Sequence, residues 1–230
     1  MLPVLYRDDA LVAIDKPAGL LVHPSALDAH EDRSALHLLR DQLGERLWPL
    51  HRLDKATSGV LLFGRSADAA RHWGQAFERG DVAKRYLALV RGWPAADGDI
   101  DTPLARDPEL PSTGQTMLEA TTRYRVLRRF EWPFQVEGRH TSSRYALVEV
   151  QPLSGRRHQI RRHFKQQAHP LVGDTTHGKG THNRAVAQWL GTSRLWLHAA
   201  QVTLPLPSGP LAIEAACGPE WTRLLEGAAA

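Results

Sequence analysis

The densest group of residues able to do chemistry is the nonapeptide 51–59, which reads His-Arg-Leu-Asp-Lys-Ala-Thr-Ser-Gly. It places one carboxylate, Asp54, among cations, two hydroxyls and a glycine. Nearby positive charge favours the ionised form of a carboxylate, and hydroxyls and backbone N–H groups can hold it by hydrogen bonds. Asp54 is therefore a candidate nucleophile or electrostatic stabiliser. An Asx-turn or a surface ion pair would explain the same residues, and the segment alone leaves these interpretations open.

The residues that follow this segment predict a rigid support for it. The apolar run Gly59 to Phe63 is typical of a buried strand, and catalytic groups often lie in loops carried by such strands. Ser66 is a typical N-cap and Gly80 a typical helix end, which together predict a helix of about 13 residues. The helix face expected to be buried carries Ala69, Trp73, Ala76 and Phe77.

Most of the chain has the pattern of β-strands. On the segment Val82 to Val90, the two-residue period puts Lys84, Tyr86, Ala88 and Val90 on one face and Arg85, Leu87 and Leu89 on the other. Further strands are predicted at Val4–Tyr6, Leu11–Ile14, Thr121–Leu127, Arg144–Val150 and Leu195–Leu204. Regular alternation of strands and helices is missing. The pattern therefore favours an α+β fold with a largely antiparallel mixed sheet flanked by helices and loops, in a single domain over residues 1–230.

Two other segments complete this prediction. Gly92 to Thr116 is rich in proline and glycine, and we expect a loop there. The spacing of Ile160, Phe164 and Ala168 predicts a helix over Arg156 to Ala168 that buries these three side chains. Its cations Arg157, Arg161 and Lys165 form a separate row along the same helix.

Composition bounds the class of protein. The 230 residues are 42% hydrophobic and 23% charged, which is ordinary for a compact globular chain. No apolar run approaches the about 18 residues that a membrane span needs, so we expect no membrane association. The single cysteine, Cys217, cannot form an intramolecular disulfide, which favours the reducing cytoplasm. No segment suggests a dedicated protein interface, and a monomer is expected.

The charge distribution points to a nucleic-acid partner. The window from Arg123 to Lys165 holds 11 basic and three acidic residues, so its net charge is +8 although the whole chain carries only +4. Most of the cations are arginines, whose planar guanidinium binds phosphate through two hydrogen bonds. A GC-rich genome would also enrich arginine over lysine, but it would not cluster the charge.

The nonapeptide closely resembles the signature of the RluA-type pseudouridine synthases, which is His-Arg-Leu-Asp, two variable residues, then Thr-Ser-Gly. The residues 84–86 (Lys-Arg-Tyr) and 155–161 (Gly-Arg-Arg-His-Gln-Ile-Arg) are similar to the second and third motifs of that family. His169–Asp174 and Leu195–Ala199 are similar to two further family segments. This resemblance runs along nearly the whole chain and implies the pseudouridine synthase catalytic fold.

The resemblance also implies a role for each matched residue. Asp54 would be the catalytic aspartate and Arg161 its ion-pair partner. Tyr86 would stack on the target uracil, and Leu197 would line the pocket. Arg52 would fill the space that the target nucleotide leaves in the RNA stack. Without the resemblance, Tyr86 and Leu197 are explained as packing residues and Arg161 as a solvated helix charge.

The implied reaction fits this set of residues. Converting uridine to pseudouridine cleaves the N1–C1′ bond, turns the uracil over and joins C5 to C1′, so neither a cofactor nor a metal is required. A glycosidase needs a second carboxyl group to protonate its leaving group. Uracil leaves as a delocalised anion, and one carboxylate suffices. Asp54 could attack C1′ or remove a ribose proton, and Tyr86 or a water could accept the C5 proton.

The RNA substrate is predicted from shorter segments. Met1–Tyr6, His23–Asp28 and Gly173–Gly178 are similar to a subgroup of the family that modifies uridine 65 in the T-arm stem of tRNA. The first strand begins near Val4, which leaves no room before the catalytic residues for the S4-type RNA-binding domain of many relatives. A 23S ribosomal RNA uridine is the alternative substrate, and a non-catalytic RNA-binding protein is the alternative from another class.

Overall fold

The computed structural model describes residues 1–23, 33–136, 138 and 140–225. Internal contacts divide the chain into two compact units. Unit 1 consists of Met1–Lys84 and His198–Ala216, and unit 2 of Arg85–Leu197 and Cys217–Ala230. The single catalytic domain over residues 1–230 stays a prediction. Within the described ranges, no helix has both the length and the apolar character needed to cross a membrane.

Strands outnumber helices, as the sequence pattern predicts. In chain order the elements are β1 (Val4–Arg7), β2 (Leu11–Lys16), α1 (Ala35–Leu43), β3 (Trp48–Pro49), β4 (Ser58–Gly64), α2 (Ala67–Arg79), β5 (Ala83–Arg91), β6 (Asp97–Asp101), β7 (Leu104–Ala105), β8 (Met117–Leu118), β9 (Thr121–Trp132), β10 (Ser143–Pro152), α3 (Gln159–Gln166), α4 (Gly180–Leu190), β11 (Leu197–Leu206), β12 (Gly209–Glu214), a 3-10 helix (Pro219–Trp221) and α5 (Thr222–Leu225).

Unit 1 is built around β4, every residue of which is buried. β4 pairs antiparallel with β2 and β3 and parallel with β11, β2 pairs antiparallel with β1, and β11 pairs antiparallel with β12. Helix α2 packs Trp73 and Ala76 against this sheet, with Ala69 and Phe77 partly buried beside them. Its caps are those that the sequence predicts, since Ser66 Oγ accepts from the Ala69 amide and Gly80 is left-handed.

Unit 2 is built around β10, which pairs antiparallel with β5 on one side and with β9 on the other. β6 pairs antiparallel with β9, and β7 and β8 form a separate short antiparallel pair. A register shift between Leu147 and Val148 leaves Leu127 of β9 without an opposite residue, as in a β-bulge. An aromatic core that includes Phe130, Trp132 and Trp196 packs against this sheet. The predicted α+β fold with a largely antiparallel sheet is confirmed.

The predicted loop is wrong in part. The expected loop Gly92 to Thr116 contains β6 and β7. β6 reads Asp-Gly-Asp-Ile-Asp and carries one buried apolar residue, Ile100, so it lacks the alternation that reveals a strand. This segment is a strand because it pairs with β9. Helices α1 and α4 were not predicted, although both end at a left-handed glycine.

The basic helix is shorter than the sequence suggests. It was expected over Arg156 to Ala168, but α3 begins at Gln159, because His158 adopts a left-handed conformation with φ of 54°. Ile160 and Phe164 are buried as predicted. The prediction for Ala168 is wrong: this residue is exposed, and its φ of 60° lies outside the helical region.

Candidate active site

The predicted site residues are divided between the two units. Asp54 and Arg52 belong to unit 1, and Tyr86, Arg161 and Leu197 belong to unit 2. The segment His23–Asp28, which the substrate prediction used, lies outside the described residues from position 24 onwards. We describe each unit's part of the candidate site separately.

Asp54 lies in a tight turn between β3 and β4. The Thr57 amide donates to the Asp54 carbonyl oxygen at 2.9 Å, which closes the turn. Leu53 before Asp54 is buried, as is Thr57 after it, whereas the Asp54 side chain is half-buried and that of Arg52 is exposed. Buried residues, Leu53 and Thr57, therefore flank the turn, and Asp54 lies between them in a half-buried position.

A buried lysine, for which no role was predicted, fixes this turn. The side chain of Lys16 is fully buried, and its ammonium group donates to the carbonyl oxygens of Pro17 and Leu20, both at 2.8 Å, and of Lys55 at 3.1 Å. The Gly19 amide donates to the same Lys55 oxygen at 2.8 Å. A buried charge is tolerated only when it is hydrogen-bonded, and here those bonds tie the residue after Asp54 to the turn that follows β2.

A hydrogen-bonded histidine supports the other end of the turn. Ser58 Oγ lies 2.9 Å from His198 Nδ1, and His198 Nε2 lies 3.0 Å from the Ala215 carbonyl oxygen. Because a carbonyl oxygen only accepts hydrogen bonds, Nε2 carries the proton and Nδ1 accepts from the Ser58 hydroxyl. His198 is 1% exposed and both of its ring nitrogens are hydrogen-bonded, so it is a structural group.

The first histidine of the nonapeptide is also structural. The His51 ring stacks on Phe77 at 4.5 Å, and its Nε2 accepts from the Leu62 amide at 3.2 Å. Desolvation, together with the charge of Lys84, lowers the pKa of His51 to about 3. Desolvation likewise lowers the pKa of Lys84 to about 8. A neutral imidazole can accept the Leu62 hydrogen bond at every pH at which the protein is ordinarily handled.

In unit 2, Tyr86 lies on β5 opposite Val150 of β10 and is 9% exposed. It shares its strand face with the buried residues Ala88 and Val90, whereas Leu87 and Leu89 pack into the aromatic core. The predicted division of β5 into two faces is confirmed. Tyr86 therefore presents its ring on the face away from that core.

Arg161 projects from α3 and pairs with Asp174. Its Nε donates to Oδ2 of Asp174 at 2.7 Å and its Nη2 donates to Oδ1 at 2.9 Å. The two side chains are 8% and 0% exposed, which contradicts the interpretation of Arg161 as a solvated helix charge. Burial alone would raise the pKa of Asp174, but Arg161 and two backbone amides hold that pKa below its ordinary value.

One short segment links the three predicted site residues of unit 2. The Val172 amide donates to the Leu89 carbonyl on β5 at 2.9 Å, and the Val172 carbonyl accepts from the Trp196 amide at 3.0 Å. Leu89 is three residues from Tyr86 on the same strand, and Trp196 directly precedes Leu197. The same segment ends in Asp174, the partner of Arg161. Residues 172–174 thus bind the backbone of the strand that carries Tyr86, the backbone of the residue before Leu197 and, through Asp174, the Arg161 side chain.

The basic window is less positive in three dimensions than in sequence. Carboxylates pair with arginines of the window in these ion pairs: Arg123–Asp99, Arg125–Glu149, Arg144–Glu131, Arg157–Glu109 and Arg161–Asp174. Three of the carboxylates, those of Asp99, Glu109 and Asp174, come from outside the window. Counting charge along the chain therefore overstates the positive charge that this part of the protein presents to a ligand.

Comparison with known proteins gives the same family as the motifs. The family model described as RNA pseudouridylate synthase matches residues 10–166, which include the segments 51–59, 84–86 and 155–161. The chain is 41% identical to "tRNA pseudouridine synthase C" of Vibrio cholerae over 98% of its length and 95% of the relative's. It is 42% identical to the Haemophilus ducreyi protein of the same name, over 97% and 94% of the two lengths.

Solved structures share the fold. The human protein RNA Pseudouridylate Synthase Domain Containing 4 aligns with a TM-score of 0.72 and 26% identity, over 97% of this chain and 93% of that one. The human protein RNA Pseudouridylate Synthase Domain Containing 1 aligns with a TM-score of 0.74 over 94% of this chain and 84% of that one, at 23% identity. The family model covers more than half of the chain and the bacterial relatives align along nearly all of it, so the chain belongs to the RNA pseudouridylate synthase family.

Proposed function

We propose that this chain isomerises uridine to pseudouridine in tRNA, and that its target is uridine 65 in the T-arm stem. The observation that carries the choice of substrate is the end-to-end alignment with relatives named tRNA pseudouridine synthase C. The catalytic motifs are common to the wider family, so they support the reaction more directly than the substrate.

Asp54 is the residue that reacts with the ribose of the target. Its half-buried carboxylate lies on a turn held by the Thr57 amide and by Lys16, so that the carboxylate has a defined place at an accessible surface. Pre-positioning of this kind lowers the entropy loss in the reactive complex. Direct attack on C1′ and removal of a ribose proton both use a carboxylate at this position, and the proposal includes both routes.

The other proposed site residues come from unit 2. Arg161 is the electrostatic partner of the Asp54 carboxylate, Tyr86 stacks on the uracil, and Leu197 is an apolar wall of the pocket. Residues 172–174 bind β5 and Trp196 through the backbone and Arg161 through Asp174. These hydrogen bonds connect the three groups within unit 2. In this proposal Tyr86 or a water molecule accepts the C5 proton.

Arg52 assists the eversion of the target nucleotide. A uracil inside a stem cannot reach a carboxylate on the protein, so the nucleotide must leave the base stack, at a cost of a few kcal/mol. The Arg52 side chain is exposed next to the Asp54 turn. A guanidinium at this position can occupy the space left in the stack and bind the flanking phosphates.

The proposed reaction needs no cofactor and no protein partner. The reaction moves the uracil from its N1 to its C5 attachment and nothing enters or leaves, so it runs without cofactor or metal. The partner is RNA, and the protein acts as a monomer with no obligate protein partner. The cytoplasm, where tRNA is matured and a lone cysteine stays reduced, is its proposed location.

Pseudouridine mapping of total RNA from a strain that lacks this gene tests the substrate. We expect the deletion strain to lack pseudouridine only at position 65 of tRNA. The purified protein should restore it when it acts on the unmodified tRNA. Loss of a 23S rRNA site with intact tRNA would replace the substrate by rRNA. A complete modification pattern in the deletion strain, together with RNA binding but no turnover by the purified protein, would favour the non-catalytic alternative.

A further inference from the structure

A polar cavity of about 220 Å³ lies in unit 2, where β5 ends and β10 begins. Its lining includes two arginines (Arg91 and Arg144), two histidines (His140 and His182) and one carboxylate (Glu131). The volume is below the about 300 Å³ at which pockets for drug-sized ligands begin, so the cavity suits one small group. Arginine and histidine N–H groups are donors, and a phosphate offers them several acceptor oxygens.

This cavity is separate from the candidate active site. Arg91 lies five residues after Tyr86 on β5, which is about 17 Å along the strand at about 3.3 Å per residue. An odd number of residues also puts the two side chains on opposite faces of the strand. Arg91 shares its face with Leu87 and Leu89, which pack into the aromatic core. At the end of this apolar face the chain therefore places a cation against the cavity.

Trp93 holds the second cation, Arg144, in place. The guanidinium carbon of Arg144 lies 4.2 Å from the centroid of the Trp93 ring, which is a cation–π contact. The ring is itself fixed, because its Nε1 donates to the Phe130 carbonyl at 3.0 Å. Nε of Arg144 lies 3.4 Å from Glu131, longer than an ordinary hydrogen bond, so this ion pair is loose. The Arg144 side chain is 57% exposed, and its guanidinium is both oriented and accessible to a ligand.

The rest of the lining is held by hydrogen bonds and leaves a net positive charge. The Ser142 hydroxyl donates to Glu131 Oε1 at 2.6 Å, and this bond together with the charges of Arg144 and His140 holds the pKa of Glu131 below its ordinary value. His182 on α4 is buried, and its Nδ1 lies 2.8 Å from the Tyr145 hydroxyl, which fixes the ring. The two arginines and the one carboxylate of the lining sum to +1, which favours an anion.

We propose that this cavity binds one phosphate group of the RNA backbone, at a nucleotide other than the one that is isomerised. Arg91 and Arg144 pair with the phosphate oxygens, and the histidines of the lining complete the set of donors. A contact of this kind positions an RNA without reading its sequence. Its distance from Tyr86 extends the bound RNA several base pairs beyond the target. The proposal rests on the proposed function in taking tRNA as that RNA.

Arg144→Gln tests the contact through the salt dependence of tRNA binding. Loss of one phosphate contact should reduce the slope of log K against log salt concentration by about one and raise the Kd for unmodified tRNA about 3- to 10-fold. The contact lies away from the reacting nucleotide, so KM should rise and kcat should not fall with it. Arg79→Gln is the matched control, because Arg79 is also 57% exposed and pairs with a carboxylate, that of Asp81. Equal effects of the two variants on the slope would overturn the proposal.

Glu131→Gln should change the affinity in the opposite direction. It removes the one carboxylate of the lining, and the glutamine oxygen can still accept from the Ser142 hydroxyl. We expect the Kd for tRNA to fall about two- to fivefold, because a phosphate no longer faces a like charge. If these residues served only folding, neither variant would bind tRNA more tightly. An unchanged or raised Kd in Glu131→Gln would overturn the proposal, also in the case that Arg144→Gln does not fold.

Inorganic phosphate distinguishes an RNA phosphate from a free one. Titrated alone into the full-length protein in a calorimeter, it should bind with no better than millimolar Kd, and Arg91→Gln should weaken this binding further. Submillimolar binding of inorganic phosphate, together with a tRNA Kd that Arg144→Gln leaves unchanged, would assign the cavity to free phosphate and overturn the proposal. A wild type that binds tRNA with an Arg144-dependent salt slope but forms no pseudouridine would instead refute the proposed function and leave this phosphate site established.

Discussion

Gly59 and Ala199 face each other across the parallel pair of β4 and β11 with no room between them for a side chain. A Cβ atom on Gly59 would lie 2.7 Å from the carbonyl carbon and 2.8 Å from the amide nitrogen of Ala199. Gly59 also has a φ of +111°, a conformation that residues with a side chain rarely adopt. The last residue of the nonapeptide is therefore dictated by backbone packing, directly beside the turn that carries Asp54.

Gly59→Ala should destabilise the protein strongly. The new methyl group meets a rigid backbone and the φ angle becomes strained, so we expect the free energy of unfolding to fall by about 3 kcal/mol or more. Gly74→Ala is the control, because Gly74 lies inside α2 and a Cβ atom added there would meet nothing within 4 Å. That change should be neutral or stabilise by up to about 1 kcal/mol. Urea unfolding of both variants measures this, and similar values for the two would contradict the interpretation.

Asp54→Asn should abolish pseudouridine formation while tRNA binding survives. The amide cannot act as a nucleophile or accept a ribose proton, so we expect kcat to fall at least about 1000-fold with little change in Kd. Asp81→Asn removes an exposed carboxylate of the same unit, one that pairs with Arg79, and should leave kcat unaltered. Tritium release from labelled tRNA measures the turnover. Undiminished turnover in Asp54→Asn would rule out the proposed role.

Arg161→Met should cost far more activity than Arg125→Met. Both arginines pair with a carboxylate, but the Arg125 side chain is 65% exposed and that of Arg161 is 8% exposed. We expect Arg161→Met to lower kcat about 100-fold or more, and Arg125→Met to raise KM a few-fold through the loss of one charge near RNA. Steady-state kinetics at one salt concentration distinguishes these effects. Equal losses in kcat would make Arg161 an ordinary phosphate contact.

The lowered pKa of His51 predicts a specific loss of stability in acid. The unfolded chain binds a proton at the ordinary value of 6.5, whereas the folded chain does so only near 3. Between these values the unfolded state holds more protons, so the free energy of unfolding falls as the pH falls, by at most about 1.4 kcal/mol per pH unit for this group.

His51→Gln tests this dependence. Glutamine keeps an acceptor for the Leu62 amide but does not titrate, so its stability should fall less steeply between pH 6 and about 4 than that of the wild type. Urea unfolding at several pH values compares the two slopes. Parallel curves would show that His51 does not couple protonation to folding.

Local patterns predicted much of the fold. The α2 helix follows from Ser66, Gly80 and one apolar face, and the two faces of β5 follow from its alternation. β6 was missed because its sequence carries three aspartates and one buried residue, and only pairing with β9 makes it a strand. The start of α3 was misplaced because His158 adopts a left-handed conformation. Such a conformation is usually predicted from a glycine, and position 158 has none.

The candidate site was predictable in its residue types but not in its supports. The Asp54 turn was recognisable from a run of nine adjacent residues. The Asp174 carboxylate was recognisable only as part of a family segment, because its partner Arg161 lies 13 positions earlier on a different element. Likewise, nothing local to Lys16 indicates that its ammonium group binds the carbonyl of Lys55.

The amino-acid sequence by itself determined the reaction class, the candidate catalytic aspartate and most of the strands, because these depend on adjacent residues and on short periodicities. Only the tertiary structure decided which charges meet. A side chain's partner is set by distance in space, so Asp99 and Asp174 neutralise arginines that lie far from them in the chain. Burial then decides how firmly each pair is held, and burial is a property of the folded chain.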